Sequence, residues 1–459
     1  MEISCEVMPK PVVTFVCENC GTQRPKWEGQ CSSCKEWNTL VENSDSIATT
    51  GVRAWVSSQT STLKSLSEVT FDDAPRLKMS LSEVNRVLGG GLVAGSVILI
   101  AGEPGVGKST LLLQIADNIA REFGGALYVT GEESLTQVKV RAGRLGIAGE
   151  RIQILQGAHL SDVITNLDNA QPSLAIIDSI QTMHTDDVSS GMGSISQIRE
   201  CTQVLIQWAK VNEVPIIISG HVTKDGDIAG PRVLEHMVDV VLQLEGEGVS
   251  TWRQLRAVKN RFGSTNETGI FEMTDQGLLQ VEDPSGMFLA ERMHGAIGSA
   301  IVPIVEGTRS MIVEIQALTN RTSLPIPRRL ATGVDNNRVL LVCAVLTRQL
   351  GLSLSDQDVI VNVTGGIKVS EPAVDLGVAL AIASSFKNRP VAGDLAVVGE
   401  IGLSGEVRRV PNIERRFSEV QRLGLKGCLA PAKSIKHDEA YAVGVPVSTL
   451  REALTKVLP

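Results

Sequence analysis

Aromatic residues are scarce. Phe, Trp and Tyr make up 3% of the 459 residues, and only two are tyrosine. A protein that gripped single-stranded nucleic acid mainly by base stacking would carry more rings. Any nucleic-acid contact here therefore has to rest on phosphates. Long hydrophobic runs are missing as well. The apolar segment 96–101 is far shorter than the roughly 20 residues a membrane helix needs. Residues 1–10 have neither the basic-then-apolar order of a secretory signal nor the arginine content of a transit peptide. The expectation is a cytoplasmic protein with no membrane attachment. Positive charge is not in excess: 43 Lys and Arg against 51 Asp and Glu leave a net charge of −8. That excludes a uniformly cationic surface but not a local one. Residues 387–436 hold 10 basic and 5 acidic side chains.

At about 150 residues per domain the length suits about three domains. A composition of 43% hydrophobic and 20% charged residues is that of an ordinary globular protein. Four of the eight cysteines cluster: Cys17-x2-Cys20, ten residues, then Cys31-x2-Cys34. The other four (Cys5, Cys201, Cys343, Cys428) are scattered. Two such pairs bring four thiolates to one tetrahedral Zn2+, a closed and therefore structural site. Gly21 and Gly29 are expected at the tight turns near the metal. So small a segment cannot bury a core alone, so metal binding should be coupled to its folding. Lys26, Trp27, Lys35 and Trp37 are candidates for touching DNA or a protein. The alternative is that the tryptophans cover the zinc site.

The segmentation follows from composition. Residues 14–42 form the cysteine module. Residues 43–70 are rich in Ser and Thr and read as a flexible linker. Residues 71–282 alternate short apolar runs (97–101, 126–130, 152–155, 174–177, 216–219, 238–244, 255–259) with helical periods at 108–122 and 195–211. That alternation predicts an α/β core with a mainly parallel central sheet. Residues 283–459 read as a separate α+β domain, with strands near 300–305 and 311–317 and helices near 336–350 and 374–386.

Gly102-Glu103-Pro104-Gly105-Val106-Gly107-Lys108-Ser109 matches G-x-x-x-x-G-K-[ST], between an apolar strand and a helix continuing through Thr110. This Walker A segment, 102–110, is the predicted ATP-binding set. Its glycines let backbone N–H groups cradle phosphates at a helix N-terminus. Lys108 would meet the β- and γ-phosphates and Ser109 would ligate Mg2+. The strand 174–177 ends in Asp178, the Walker B acid, which would hold Mg2+ directly or through water. Ser179 follows it, so no glutamate adjoins that acid. Gly131-Glu132-Glu133 leaves a parallel strand whose end faces the same crevice. Glu132 is the candidate base for the attacking water, and Glu133 is the second choice.

These segments, with the Gly89-Gly90-Gly91 run before them, resemble a RecA/DnaB-type ATPase core. Lys259-Asn260-Arg261-Phe262-Gly263 resembles the signature that separates the bacterial RadA (Sms) family from its RecA relatives. The N-terminal zinc ribbon and a Lon-protease-like C-terminal domain complete that family's order, so the resemblance spans nearly the whole chain. It implies a DNA-dependent ATPase of recombinational repair. It further implies a hexameric ring that branch-migrates recombination intermediates on single-stranded and branched DNA, in partnership with the RecA recombinase. Within that frame, Lys259 and Arg261 alternate on a strand end and suit a finger reaching a neighbour's γ-phosphate. His221, at the end of the run 216–219, takes the γ-phosphate sensor place. Lys224 and Arg232 on the following loop are DNA-contact candidates, and the polar loop 181–193 suits a flexible DNA-channel segment.

In the C-terminal domain, Glu371-Pro372-Ala373-Val374-Asp375-Leu376-Gly377-Val378 resembles the Lon nucleophile segment. Asp375 stands where Lon proteases have serine, and Glu414 falls near the Lon lysine. A Ser–Lys dyad needs a hydroxyl and a base, and these positions carry neither. The domain is therefore expected to be a scaffold without peptidase activity. Arg309, Arg321, Arg328, Arg329, Arg408 and Arg409 are its basic candidates for DNA. An ATP-dependent protease and a KaiC-like switch ATPase are the competing readings.

Overall fold

A computed structural model describes residues 13–17, 22–24, 26–37, 39–44, 76–221, 233–246, 251–290, 292–322, 324, 326–436 and 442–458. The chain divides into two compact units. The first comprises Met1–Gly246, Arg253–Thr265 and Phe271–Gln280; the second comprises Glu247–Trp252, Asn266–Ile270 and Val281–Pro459.

The first unit is built on nine strands. Their order is Gly277–Gln280, Thr268–Thr274, Trp252–Asn260, Val240–Glu245, Val97–Gly102, Ile216–His221, Leu174–Asp178, Ala126–Thr130 and Ile152–Gln156. From Val240–Glu245 to Ile152–Gln156 every pairing is parallel. Strands Val240–Glu245 and Trp252–Asn260 pair antiparallel. Val97–Gly102 is buried along its whole length, as a strand covered on both faces must be. Alternation divides its neighbours between two cores. Ile98, Ile100, Tyr128 and Ile176 pack with Leu111, Leu112 and Ile115 of helix Lys108–Glu122. Leu99, Val129 and Ile177 pack with Val163 of helix Leu160–Ala170 and Leu205 and Trp208 of helix Ile195–Asn212.

The predicted helix 108–122 is observed as Lys108–Glu122, and the predicted 195–211 extends by one residue to Asn212. The strand predicted from 238 starts at Val240 instead. The reason is Asp239, whose carboxylate accepts from the Val97 N–H at 3.1 Å and whose own N–H donates to the Val97 carbonyl at 2.9 Å.

The cysteine segment forms a three-stranded antiparallel sheet, with Val13–Cys17 between Gln23–Arg24 and Leu40–Ser44.

The second unit holds a seven-stranded mixed sheet. Its order is Arg329–Thr332, Gln357–Val363, Arg309–Arg321, Ser299–Glu306, Leu395–Val397, Gly427–Pro431 and Gly444–Val447. Helix Asp375–Lys387 is buried from Asp375 through Ser384, as a helix apolar all round must be. Among the described residues, no helix is long and apolar enough to cross a membrane.

Candidate nucleotide and metal sites

The phosphate loop joins strand Val97–Gly102 to helix Lys108–Glu122. Gly105 and Gly107 have φ of 80° and 112°, a region other residues rarely adopt. A Cβ on Gly102 would lie 2.5 Å from the Leu244 carbonyl oxygen. Glu103, Pro104 and Gly105 form the exposed tip, Val106 is buried, and Ser109 and Thr110 occupy the first helical turn. The Lys108 ammonium donates to the carbonyls of Gly102 at 2.7 Å and Glu103 at 3.0 Å. Burial lowers its pKa, and Asp178 and Glu132 oppose that shift. Arg253 also braces the loop. It is buried, and its Nε donates to the Val106 carbonyl at 2.9 Å. No motif marked Arg253, because its acceptor is main chain.

Asp178 ends strand Leu174–Asp178, in register with Thr130 of the adjacent strand. The Gly131 N–H donates to the Asp178 carbonyl at 3.0 Å, and a Cβ on Gly131 would collide with Thr182 Oγ1. Only glycine lets the chain turn this tightly there. The turn separates the two glutamates. The Ser179 hydroxyl donates to Glu132 Oε1, which ties Glu132 to the residue after Asp178. Arg141, on helix Leu135–Arg144, grips both Glu133 oxygens, with Nη1 to Oε2 at 2.6 Å. Tyr128 also joins this site: its hydroxyl donates to Asp178 Oδ2 at 2.6 Å. Ser179 and Tyr128 were invisible to motif reading, since neither belongs to a nucleotide signature.

Lys259 and Arg261 are placed differently from a simple alternation. Strand Trp252–Asn260 ends before Arg261, and its register shifts between Ala257 and Lys259. The bulge still leaves both cations beside one segment. Lys259 Nζ donates to the carbonyls of Glu235 and Val238, both at 2.7 Å. Arg261 Nη1 reaches Asp239 Oδ1 at 3.2 Å and is about half exposed. Burial foremost, then Arg261, lowers the Lys259 pKa. The rest of the Lys-Asn-Arg-Phe-Gly segment docks on the glycine run. Arg76 bridges the carbonyls of Gly89 at 2.7 Å and Phe262 at 2.8 Å. A Cβ on Gly263 would sit 3.0 Å from the Gly89 Cα, so glycine meets glycine.

His221 ends strand Ile216–His221, with its backbone paired to Gly102. Lys224 and Arg232 lie outside the described residues. The loop 181–193, expected to be flexible, is pinned. The buried Gln197 side chain accepts from the Thr185 N–H at 2.9 Å and donates to the carbonyls of Thr185, Val188 and Ser190 at 2.8–3.0 Å.

In the second unit, Asp375 is buried and its two oxygens are held by Arg338, with Nε to Oδ1 at 2.9 Å. The Ile401 N–H donates to Oδ2 at 3.3 Å. Glu414 is exposed and pairs with Lys436 at 3.4 Å. Arg309 is a correction among the DNA candidates. It is buried, and its guanidinium donates to the carbonyls of Val281 and Glu282, so it cannot present charge to a phosphate. Arg329 likewise spends its guanidinium on the carbonyls of Arg328, Gln357 and Leu354. Arg321 and Arg328 are exposed and paired with Asp356 and Asp358. Arg408 pairs with Glu406. Arg409 is exposed.

Cys17, Cys31 and Cys34 bring their sulfurs within 4.8 Å of one another, the one such group of potential metal ligands among the described residues. Cys20 and Gly21 lie outside them. The Cys17–Cys34 sulfur separation is 3.6 Å. Tetrahedral zinc with bonds of about 2.3 Å holds sulfurs about 3.8 Å apart, so the thiolates fit that ion. The left-handed turn position is Lys35, with φ of 61°, rather than Gly29. The rings of Trp27 and Trp37 flank Gly29, each at ordinary contact distance, 3.8 Å from where its Cβ would be. Both rings are mostly exposed, at 55% and 68%, so neither is a buried lid.

A phosphate loop and an acidic strand end on a mainly parallel sheet, joined in one chain to a thiolate cluster, define a P-loop ATPase with a zinc ribbon. Comparison with known proteins agrees. The family described as AAA domain matches residues 59–227, rubredoxin metal binding domain matches 15–42, and subunit ChlI of Mg-chelatase matches 332–434. The DNA repair protein RadA of Bacillus subtilis (strain 168) is 49% identical over 431 residues, covering 93% of this chain and 94% of its own. RadA of Listeria monocytogenes is 45% identical over 98% of this chain and 99% of its own. RadA of Haemophilus influenzae is 46% identical over 92% and 93%. The chain belongs to the RadA family of DNA repair proteins.

Elemental analysis should find one zinc per chain, and Cys31→Ser should lose it. The thermal transition of the ATPase core should be unchanged in that variant. Melting of the core together with the ribbon would contradict the modular segmentation.

Proposed function

We propose that the protein is a DNA-dependent ATPase of recombinational repair that works as a hexameric ring on single-stranded and branched DNA, branch-migrating intermediates alongside the RecA recombinase. The observation that carries the ATPase assignment is the division of labour at the Gly131 turn. Glu132 is linked through Ser179 to the Asp178 strand end, and Arg141 occupies Glu133. In this reading Gly102 to Thr110 cradle ATP, Lys108 meets its β- and γ-phosphates, and Glu132 orients and deprotonates the attacking water. His221 senses the γ-phosphate. The hydroxyl of Ser109 and the carboxylate of Asp178 are hard oxygen donors that fit Mg2+. The ion supplies charge neutralisation on the phosphates when bound.

Lys108→Ala should abolish hydrolysis. Glu132→Gln should keep nucleotide affinity and slow DNA-stimulated turnover by about 100-fold or more, the range for losing a general base. Glu133→Gln should not reproduce that profile. ATPase rates with and without single-stranded DNA, beside affinity for a fluorescent ATP analogue, check both; wild-type turnover in Glu132→Gln rejects it as the base.

Lys259 and Arg261 serve the neighbouring subunit's γ-phosphate in this reading, a charge-stabilising role at the transition state. Arg261, half exposed, is the more available of the two. In mixed rings Lys259→Ala or Arg261→Ala subunits should depress activity more steeply than dilution. A strictly proportional fall would place each residue in its own subunit's chemistry.

The second unit acts as a scaffold for assembly and DNA contact, with Lys224 and Arg232 of the first unit and Arg321 and Arg328 of the second as phosphate contacts. It is no protease, because Arg338 occupies the carboxylate at the nucleophile position. ATP-driven cleavage of an unfolded substrate that vanished in Asp375→Ala would overturn this.

A further inference from the structure

Tyr128 belongs to no nucleotide motif, yet it touches the Walker B acid. It is the third residue of strand Ala126–Thr130 and is 1% exposed. Its ring packs in the core that includes Leu111 and Ile115 of the phosphate-loop helix. In that parallel pairing Tyr128 lies opposite Ile176, two residues before Asp178, and shares a core with it. The phenol therefore rises along the face on which Asp178 emerges, and its hydroxyl donates to Asp178 Oδ2 at 2.6 Å.

A carboxylate on the last residue of a strand turns readily about its terminal torsion, which has a broad, roughly two-fold profile. A hydrogen bond to one oxygen fixes which oxygen faces the crevice. The Tyr128 hydrogen bond goes to Oδ2 and leaves Oδ1 outside it. Lys108 and Glu132 both lie within electrostatic reach of this corner, so a misdirected carboxylate has a cation and a like charge to respond to.

We propose that Tyr128 is a positioning residue for magnesium: its hydroxyl holds Asp178 in the orientation that presents Oδ1 to the hydrated ion at the phosphate loop. The proposal rests on the reading of Asp178 as the magnesium-side acid. Outer partners of metal ligands typically change metal affinity by 10- to 100-fold when removed.

The test uses the full-length chain and reads the affinity for a fluorescent ATP analogue against Mg2+ concentration. Tyr128→Phe keeps the ring and removes the hydroxyl. Its Mg2+ midpoint should rise by about tenfold, while its analogue affinity in EDTA and its melting temperature stay at the wild-type values. Asp178→Asn is the reference and should raise the Mg2+ midpoint further than Tyr128→Phe does. A Tyr128→Phe midpoint equal to wild type, with Asp178→Asn deficient, overturns the role of Tyr128 alone. An Asp178→Asn protein with the wild-type midpoint overturns the reading beneath it. If the phenylalanine variant does not fold, fluorotyrosine serves instead, introduced in a Tyr441→Phe background so that residue 128 alone carries it. It alters donor strength at unchanged shape, and an unmoved midpoint again overturns the proposal.

Discussion

One strand pairing organises the nucleotide site. Parallel strands bring their ends to a common edge, and Thr130 lies opposite Asp178 in the register of Ala126–Thr130 and Leu174–Asp178. That pairing sets Gly131 against the Asp178 carbonyl, forces the next residues to turn, and delivers Glu132 and Glu133 in different directions. A slip by one residue would invert the face of every side chain on the moved strand. Asp178 would then emerge beside the core of helices Leu160–Ala170 and Ile195–Asn212, away from the phosphate loop. The apolar residues of both strands, divided between two cores, are what prevent the slip. The hydrophobic pattern thus fixes the position of a charge.

The same economy governs Lys108. Burial disfavours its ammonium, and the nearby Asp178 and Glu132 offset part of that cost. Its donors meanwhile rest on the loop's own carbonyls. Arg253 reaches the Val106 carbonyl of the loop from a strand position 147 residues further along. The backbone that must face phosphates is therefore braced from both sides before any anion arrives, which is the preorganisation that electrostatic catalysis requires.

Legibility in the sequence followed the type of partner. Helices 108–122 and 336–350 match Lys108–Glu122 and Asn336–Leu350, because apolar periodicity and flanking turns both mark them. Helix Leu135–Arg144 is marked by the capping box of Ser134 and Gln137 rather than by apolar content; its composition is mostly polar, and it buries Val138 and Ala142. Strand Leu395–Val397 is too short to alternate visibly. Side chains that dock on main chain were the hardest to place. Lys259 rests on the carbonyls of residues 235–238, and Arg309 on those of 281 and 282. Carbonyls are the same in every residue, so no spacing announces such a partner. Glu133 was separable from Glu132 only once helix Leu135–Arg144 had placed Arg141.

The second unit shows how a motif's outline survives a change in its chemistry. Its Glu371-to-Val378 segment has two buried or mostly buried acids, and each is met by a guanidinium from elsewhere. Arg338 takes Asp375, and the fully buried Arg416 takes Glu371 at both oxygens while also donating to the Pro303 carbonyl at 2.6 Å. Burying either acid alone would cost several kcal/mol, roughly, so the pairs are conditions of folding rather than additions to it. Arg416 comes from the same short helix as Glu414, Ile413–Arg422. Arg416 thereby ties that helix to the segment that carries Glu371. The two guanidiniums thus fix the segment at both acids, one from helix Asn336–Leu350 and one from helix Ile413–Arg422.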